Sequence, residues 1–194
     1  MHLCLAYPAL QEGDRKIICE FRRLHDIKYF DVVDAHWTMI FPVSTKDIEL
    51  NNLADHIARA VSNYGPVSFV CRYALVYDDD GSDDYYLFLV PDEGFSGISL
   101  LHDELYSDFM RPHLRLDIPY VPHIGIATDK NKEHLYELAR EWNDCCREIR
   151  GTIDSLTLSS YDGKQVKDIK QFNFNRSEPI GSANAASPRR SPLR

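Results

Sequence analysis

His36 and His123 are the residues with the most chemistry to offer in this 194-residue chain. Each opens a short apolar run, His36-Trp37-Thr38-Met39 and His123-Ile124-Gly125-Ile126. Successive side chains alternate faces along a strand. His36 and Thr38 therefore share one face, opposite Trp37, Met39 and Phe41, while His123 shares a face with position 125 and Ile124 and Ile126 point away. Two imidazoles and a hydroxyl aimed at one spot suit in-line displacement at phosphorus. One neutral imidazole takes a proton from the attacking water or hydroxyl, and one imidazolium returns a proton to the leaving oxygen. Histidine fits both roles because its ordinary pKa lies near working pH. Hydroxyls and backbone amides hold the phosphoryl oxygens where negative charge builds. Such chemistry calls for no metal or other cofactor.

The surroundings of the two histidines are as informative as the tetrapeptides. The chain begins with a strand-like run over residues 2–7, then a helix, then Val33-Asp34-Ala35-His36-Trp37-Thr38-Met39-Ile40-Phe41-Pro42. About ninety residues later comes Leu116-Asp117-Ile118-Pro119-Tyr120-Val121-Pro122-His123-Ile124-Gly125-Ile126-Ala127. This pair resembles the His-x-Thr/Ser-x (HxTx) motifs of the two-histidine (2H) phosphoesterases, in the bacterial 2′-5′ RNA ligase-like branch that includes cyclic phosphodiesterases. The resemblance spans residues 1–175. It implies His36, Thr38 and His123 as catalytic residues and an α+β fold of two pseudo-symmetric lobes, each of antiparallel-rich sheet with outer helices, with the active cleft between them.

Gly125 departs from that pattern, since the family usually carries Thr or Ser there. By strand parity Thr128 points away from the His123 face unless a bulge intervenes. Loss of one preorganised donor costs about 2.7–4 kcal/mol at a transition state. Glycine also lets a ligand approach the backbone closely, so the amide at position 125 is a substrate-binding candidate.

The elements that would position these residues follow from periodicity. Ile17, Phe21 and Leu24 mark a helix over 14–24, and Leu53, Ile57 and Val61 a second. Runs 67–77 and 85–90 alternate across an acidic loop and read as a hairpin. A third helix carries Ile98, Leu101, Leu105 and Phe109, and a fourth carries Leu135, Leu138, Trp142 and Ile149. Strands at 152–160 and 165–174 flank the turn signal Asp162-Gly163. The order β-α-β-α-β-β, then α-β-α-β-β, gives two similar halves within residues 1–176. Residues 177–194 are rich in Ser, Pro, Ala, Asn and Arg and predict a disordered tail.

Composition bounds the partners. With 44% hydrophobic residues the chain can build one good-sized core. A net charge of −8 disfavours a sequence-independent grip on long nucleic acid. An RNA end or a small cyclic nucleotide is the expected partner, taken by a monomer, with no long duplex and no membrane. Arg111, Arg115, Lys130 and Lys132 could form a positive rim near the second histidine, although solvated surface charge is the plainer reading. No apolar run approaches the ~18 residues of a membrane span, and no secretory leader opens the sequence. Five cysteines, an odd number, do not read as a disulfide framework, so a reducing cytoplasm is the expected compartment.

Other candidates carry less. The acidic run 78–84 puts Val76 and Leu87 where a calcium loop needs oxygen ligands, and reads as a solvated hairpin loop. His25, His56, His102, His113 and His134 form no compact ligand motif and are expected at the surface or its boundary. His113, followed by Leu114-Arg115, mimics the second motif poorly. Cys145 and Cys146, near Trp142, are expected to pack as small hydrophobes. Neither nucleotide-triphosphate glycine loop is present, so any ligation would be the reverse of diester cleavage.

The resulting expectation is a metal-independent phosphodiesterase acting on 2′,3′-cyclic phosphates or 2′-5′ diesters at RNA ends or in small nucleotides. An alternative from a different class is a catalytically impaired RNA-end or nucleotide-phosphate binding protein, weakened by the missing hydroxyl. A third is a structural protein whose site takes no ligand.

Overall fold

The computed structural model describes residues 1–78 and 83–175. The acidic loop's centre and the serine- and arginine-rich segment beyond residue 175 lie outside them. Nine strands form one sheet, in the order β2-β7-β4-β5-β6-β3-β1-β8-β9. In chain order these are β1 (His2–Ala6), β2 (Ala9–Leu10), β3 (Trp37–Val43), β4 (Val67–Asp78), β5 (Tyr85–Glu93), β6 (Ile124–Asp129), β7 (Ile149–Ile153), β8 (Ser155–Tyr161) and β9 (Val166–Asn173). The helices are α1 (Glu12–His25), α2 (Leu50–Asn63), α3 (Phe95–Leu105) and α4 (Lys132–Asp144), and a 3-10 turn follows α3 at Asp108–His113.

Every strand pairing is antiparallel. Five strands, β2, β7, β4, β5 and β6, make one half, and β3, β1, β8 and β9 make the other. The halves meet where β3 lies beside β6, through the single residue pair Trp37↔Ile124. Both members of that rung are fully buried. Trp37 also packs edge-on against Phe69, with ring centroids 4.9 Å apart. The junction of the lobes is thus held by core packing more than by the ladder.

The chain crosses between halves four times, from β1 to β2, from β2 to β3, from β3 to β4 and from β7 to β8. β1 pairs with β3 and β8, whereas β2, three residues on, pairs with β7. The last crossing falls at Asp154, between β7 and β8. The apolar run 152–160 reads as one strand, but Ile153 pairs with Val67 in the first half and Ser155 with Asn173 in the second. Asp154 turns its carbonyl to the amide of Phe174 at 2.9 Å. Ile149, which fits the period of the fourth helix, instead opens β7, because α4 ends at Asp144 and Cys146 takes a left-handed φ of 47°. Phe109 likewise belongs to the 3-10 turn and not to α3.

Cys145 and Cys146 are exposed rather than packed, since the helix has ended before they could join its apolar face. His56 and His102, expected near the surface, are buried. His56 Nε2 lies 3.1 Å from the carbonyl of Leu105, which it reaches as a donor. His102 stacks flat on Tyr120, with centroids 3.5 Å apart.

Candidate active site

The Trp37↔Ile124 rung fixes the site. Continuing its antiparallel register sets Thr38 across from His123 and His36 across from Gly125, all on the face opposite the buried Trp37 and Ile124. His36 and His123 are then a diagonal pair, and in a regular ladder such neighbours lie about 7–8 Å apart, their side-chain stems somewhat closer. All four residues line one cleft of about 300 Å³.

The two imidazoles are anchored alike. His36 Nδ1 lies 2.7 Å from the carbonyl of Asp34, and His123 Nδ1 lies 2.7 Å from the carbonyl of Val121. A carbonyl can only accept, so each Nδ1 carries a proton and each Nε2 is left as the working nitrogen. Burial lowers both pKa values, that of His123 to about 4. The Val121 contact counters burial at His123, while neighbouring His36 reinforces it. At His36 the Asp34 contact opposes the burial, Arg22 adds to it, and Asp26 and Asp34 oppose it. Both rings are therefore neutral at pH 7.

Alternation holds on β3 as far as Met39 and then fails. The β1–β3 register jumps from Leu5↔Thr38 to Cys4↔Ile40, so Met39 and Ile40 are both fully buried and Phe41 is only half-buried. Phe41 had been expected on the Trp37 face. Its amide instead donates to the Tyr106 hydroxyl at 2.9 Å.

A second bulge corrects the expectation for Thr128. The β5–β6 register runs Phe88↔Gly125 and then Leu87↔Ala127, which inserts Ile126 and brings Thr128 opposite Tyr86. Thr128 thereby joins Gly125 in lining the cleft. Its hydroxyl does not replace the missing one, because it donates to Asp26 Oδ1 at 3.0 Å. Sequence offers no signal for a bulge at Ile126.

Parity also did not reveal the cleft's aromatic wall. Phe88 stacks nearly parallel on His123, at 3.6 Å between centroids and 15° between planes. Tyr77 and Tyr86 continue the stack from Phe88 at 5.2 and 5.8 Å, and Tyr29 lies 6.4 Å from Tyr86. The alternating run Tyr86-Leu87-Phe88-Leu89 carries a trace of this arrangement, since Tyr86 and Phe88 must share a face. Arg22 is the cationic residue among those lining the cleft, and Asp26 pairs with it at 2.9 Å. Arg111, Arg115, Lys130 and Lys132 do not line it. Arg115 pairs with Asp117, and Lys132 reaches Asp78 at 2.7 Å. His25, His56, His102, His113 and His134 also stand outside the cleft lining.

Among the described residues no group of three or more His, Cys, Asp or Glu is disposed to hold a metal ion. No helix among them is long and apolar enough to cross a membrane.

The model of the 2′-5′ RNA ligase superfamily matches residues 2–165. No curated protein matches. Among solved structures, a phosphoesterase superposes with a TM-score of 0.54 at 17% identity, covering 90% of this chain and 98% of its own. The E. coli protein LigT in its apo form gives 0.53 at 17% identity, covering 91% and 99%. LigT complexed with 3′-AMP gives 0.53 at 17% identity, covering 91% and 100%. At such identities the likeness is one of fold.

Proposed function

The chain belongs to the 2′-5′ RNA ligase superfamily, and from that premise we propose that it is a metal-independent phosphodiesterase acting on 2′,3′-cyclic phosphates or 2′-5′ diesters at RNA ends or in small nucleotides. One observation carries the reading: two histidines, each with Nδ1 held by the carbonyl two residues before it, line one cleft together with Thr38. An Nε2 lone pair on one ring and an Nε2 proton on the other are the two halves of acid–base catalysis.

For a cyclic phosphate the balance is simple. One imidazole takes a proton as the water oxygen bonds to phosphorus. The bond from phosphorus to one ribose oxygen breaks, and the other imidazolium protonates that oxygen. The product is a phosphomonoester, and the two rings have exchanged protonation states. Thr38 donates to a phosphoryl oxygen, and the backbone at Gly125 meets the substrate on the opposite strand. With the 5′-hydroxyl of a second RNA end in place of water, its oxygen would bond to phosphorus as the ribose oxygen leaves, and the same two proton transfers would join the ends, with water favouring hydrolysis.

A substrate phosphate would change the balance of charge between the rings. Both pKa values are depressed chiefly by burial, and a diester anion between the rings favours an imidazolium and raises the pKa of whichever ring acts as acid. The stacked wall of Phe88, Tyr77, Tyr86 and Tyr29 gives a nucleoside an aromatic flank, worth about 1–3 kcal/mol per stacked base. That LigT, of the same fold, is seen with 3′-AMP accords with a ligand of nucleotide size.

Gly125 favours the second reading, a nucleotide-phosphate binding protein with weakened turnover. Incubation with 2′,3′-cyclic AMP and with a 2′-5′-linked dinucleotide, with and without EDTA, tests the choice. Chelator-resistant release of a phosphomonoester supports the enzyme. Saturable binding of either nucleotide without turnover supports the binding protein.

A further inference from the structure

The segment that carries His36 has no regular structure between α1 and β3, yet it is held by a buried ion pair at the cleft wall. Arg22 donates from Nε and Nη2 to Asp26 Oδ2, at 3.0 and 2.9 Å, and both side chains are 4% exposed. The same Nη2 donates to the carbonyls of Tyr29 and Val33, at 3.2 and 2.8 Å. Val33 precedes Asp34, whose carbonyl orients His36. The other carboxylate oxygen, Asp26 Oδ1, accepts from the Tyr29 amide at 3.1 Å and from the Thr128 hydroxyl at 3.0 Å. Thr128 lies on the strand that begins just after His123, and a backbone bridge also joins Asp26 to Thr128.

One carboxylate thus ties the His36 loop to the His123 strand, in a place where the sheet joins them by a single rung. We propose that Arg22, Asp26 and Thr128 form a positioning clamp that sets the separation and orientation of the two histidines. The proposal rests on the two-histidine reading of the site. An ion pair this deep is a costly way to gain stability, because desolvation offsets much of the attraction. It is well suited to fixing geometry. It also explains why the bulge at Ile126 places a threonine at the cleft whose hydroxyl faces the loop and not the ligand.

The test uses the full chain, 2′,3′-cyclic AMP as probe, and ring-carbon NMR titration of His36. Thr128→Val removes one hydrogen bond and no charge. It should lower kcat roughly tenfold, the rate equivalent of one such bond, with KM little changed and the pH profile unmoved. Thr128→Ser should restore kcat. Asp26→Asn leaves Arg22 facing His36 without its counter-charge. Of the charged and titratable groups around His36, namely Arg22, Asp26, Asp34, His123 and Tyr7, only Asp26 changes, and one negative charge is lost. The His36 titration should move to lower pH, and kcat should fall by about 10²-fold, as for a misplaced reacting group.

Wild-type kcat and an unchanged pH profile in both Thr128→Val and Asp26→Asn would overturn the clamp. If Asp26→Asn does not fold, Thr128→Val and its serine rescue decide alone. If the wild-type protein turns over no cyclic nucleotide, the phosphodiesterase reading fails. The clamp is then judged by NMR: an unmoved His36 titration in Asp26→Asn, with His36 and His123 ring signals unchanged in Thr128→Val, overturns it, and displaced signals support it.

Discussion

The His36 segment and the His123 segment hold their rings by the same contact, Nδ1 to the carbonyl two residues back, at 2.7 Å in each, and surround them differently. By the register of the junction His123 lies across from Thr38, and its ring is stacked on Phe88, while His36 lies across from Gly125 and meets Tyr7 edge-on at a looser 6.5 Å. The shared contact fixes which nitrogen works. On the proposed mechanism the unshared surroundings decide how well each ring is oriented and which phosphoryl oxygens find a donor. Two strands that look like repeats of one pattern are therefore not equivalent halves of the site.

The sharpest test of what the two sides share is to remove each ring. His36→Ala and His123→Ala should each lower kcat on 2′,3′-cyclic AMP by about 10²–10⁴-fold, the usual worth of general acid or base assistance. The double variant should fall little further, because two proton-transfer groups acting as a unit are not additive. EDTA should leave the wild-type rate unchanged. An activity that survives both substitutions would move the chemistry to another site.

Thr38→Val probes what the sides do not share. It keeps the β-branched shape of a strand residue and removes the hydroxyl across from His123. If that hydroxyl holds a phosphoryl oxygen in the transition state, kcat should fall by about 10²–10³-fold with KM nearly constant. A rise in KM alone would mean that Thr38 binds ground state and transition state equally.

How much of this was legible in the sequence depends on the kind of signal. The histidines, Thr38 and Gly125 could be read because two strands of period two place them on one face, and the alternation of Trp37 and Ile124 marks the opposite, buried face. The hairpin β4–β5, helices α1 and α2 and the Asp162-Gly163 turn follow from local periodicity in the same way. The crossing at Asp154 did not, because a strand that changes partners keeps its alternation and leaves no local mark. Nor did the bulges near Met39 and Ile126, where one extra residue reverses the faces that parity assigns. Thr128 and Phe41 were misplaced for that reason. Arg22 and Asp26 are spaced i, i+4 on a helix, which looks the same whether the pair is solvated or, as here, buried at the site.

The pH dependence reports on the rings together. Both histidines are neutral at pH 7 in the free protein, and the proposed mechanism needs one of them protonated. Because the folded pKa values lie below the ordinary one, the competent singly protonated form grows as pH falls. The profile of kcat/KM on cyclic AMP should peak below about pH 6.5 and decline about tenfold per unit on the alkaline side. The profile of kcat should peak at higher pH, because the bound anion raises the acid's pKa. The two apparent values belong to the pair and not to either ring. A kcat/KM that stays flat to pH 9 would contradict neutral resting imidazoles.

The smallest expected effect comes from making the two sides alike. A Cβ built on Gly125 meets no other atom within 4 Å, and its backbone does not adopt a positive φ, so Gly125→Thr should fold without strain and set its side chain into the cleft across from His36. Nothing in the fold therefore requires glycine at this position. Glycine is a poor strand residue, and that makes close approach of the ligand the better account of its presence. On that account Gly125→Thr should raise KM for cyclic AMP a few-fold, with kcat unchanged or lower, because the new methyl and hydroxyl occupy space the substrate uses. If the position is instead a lost donor, the added hydroxyl should reach the phosphoryl group beside His36, and kcat should climb towards the value of a site with one hydroxyl on each strand. A clear gain in kcat would thus show that the asymmetry is an impairment, while a gain in KM alone would show that the site is shaped for a ligand seated against the backbone of β6.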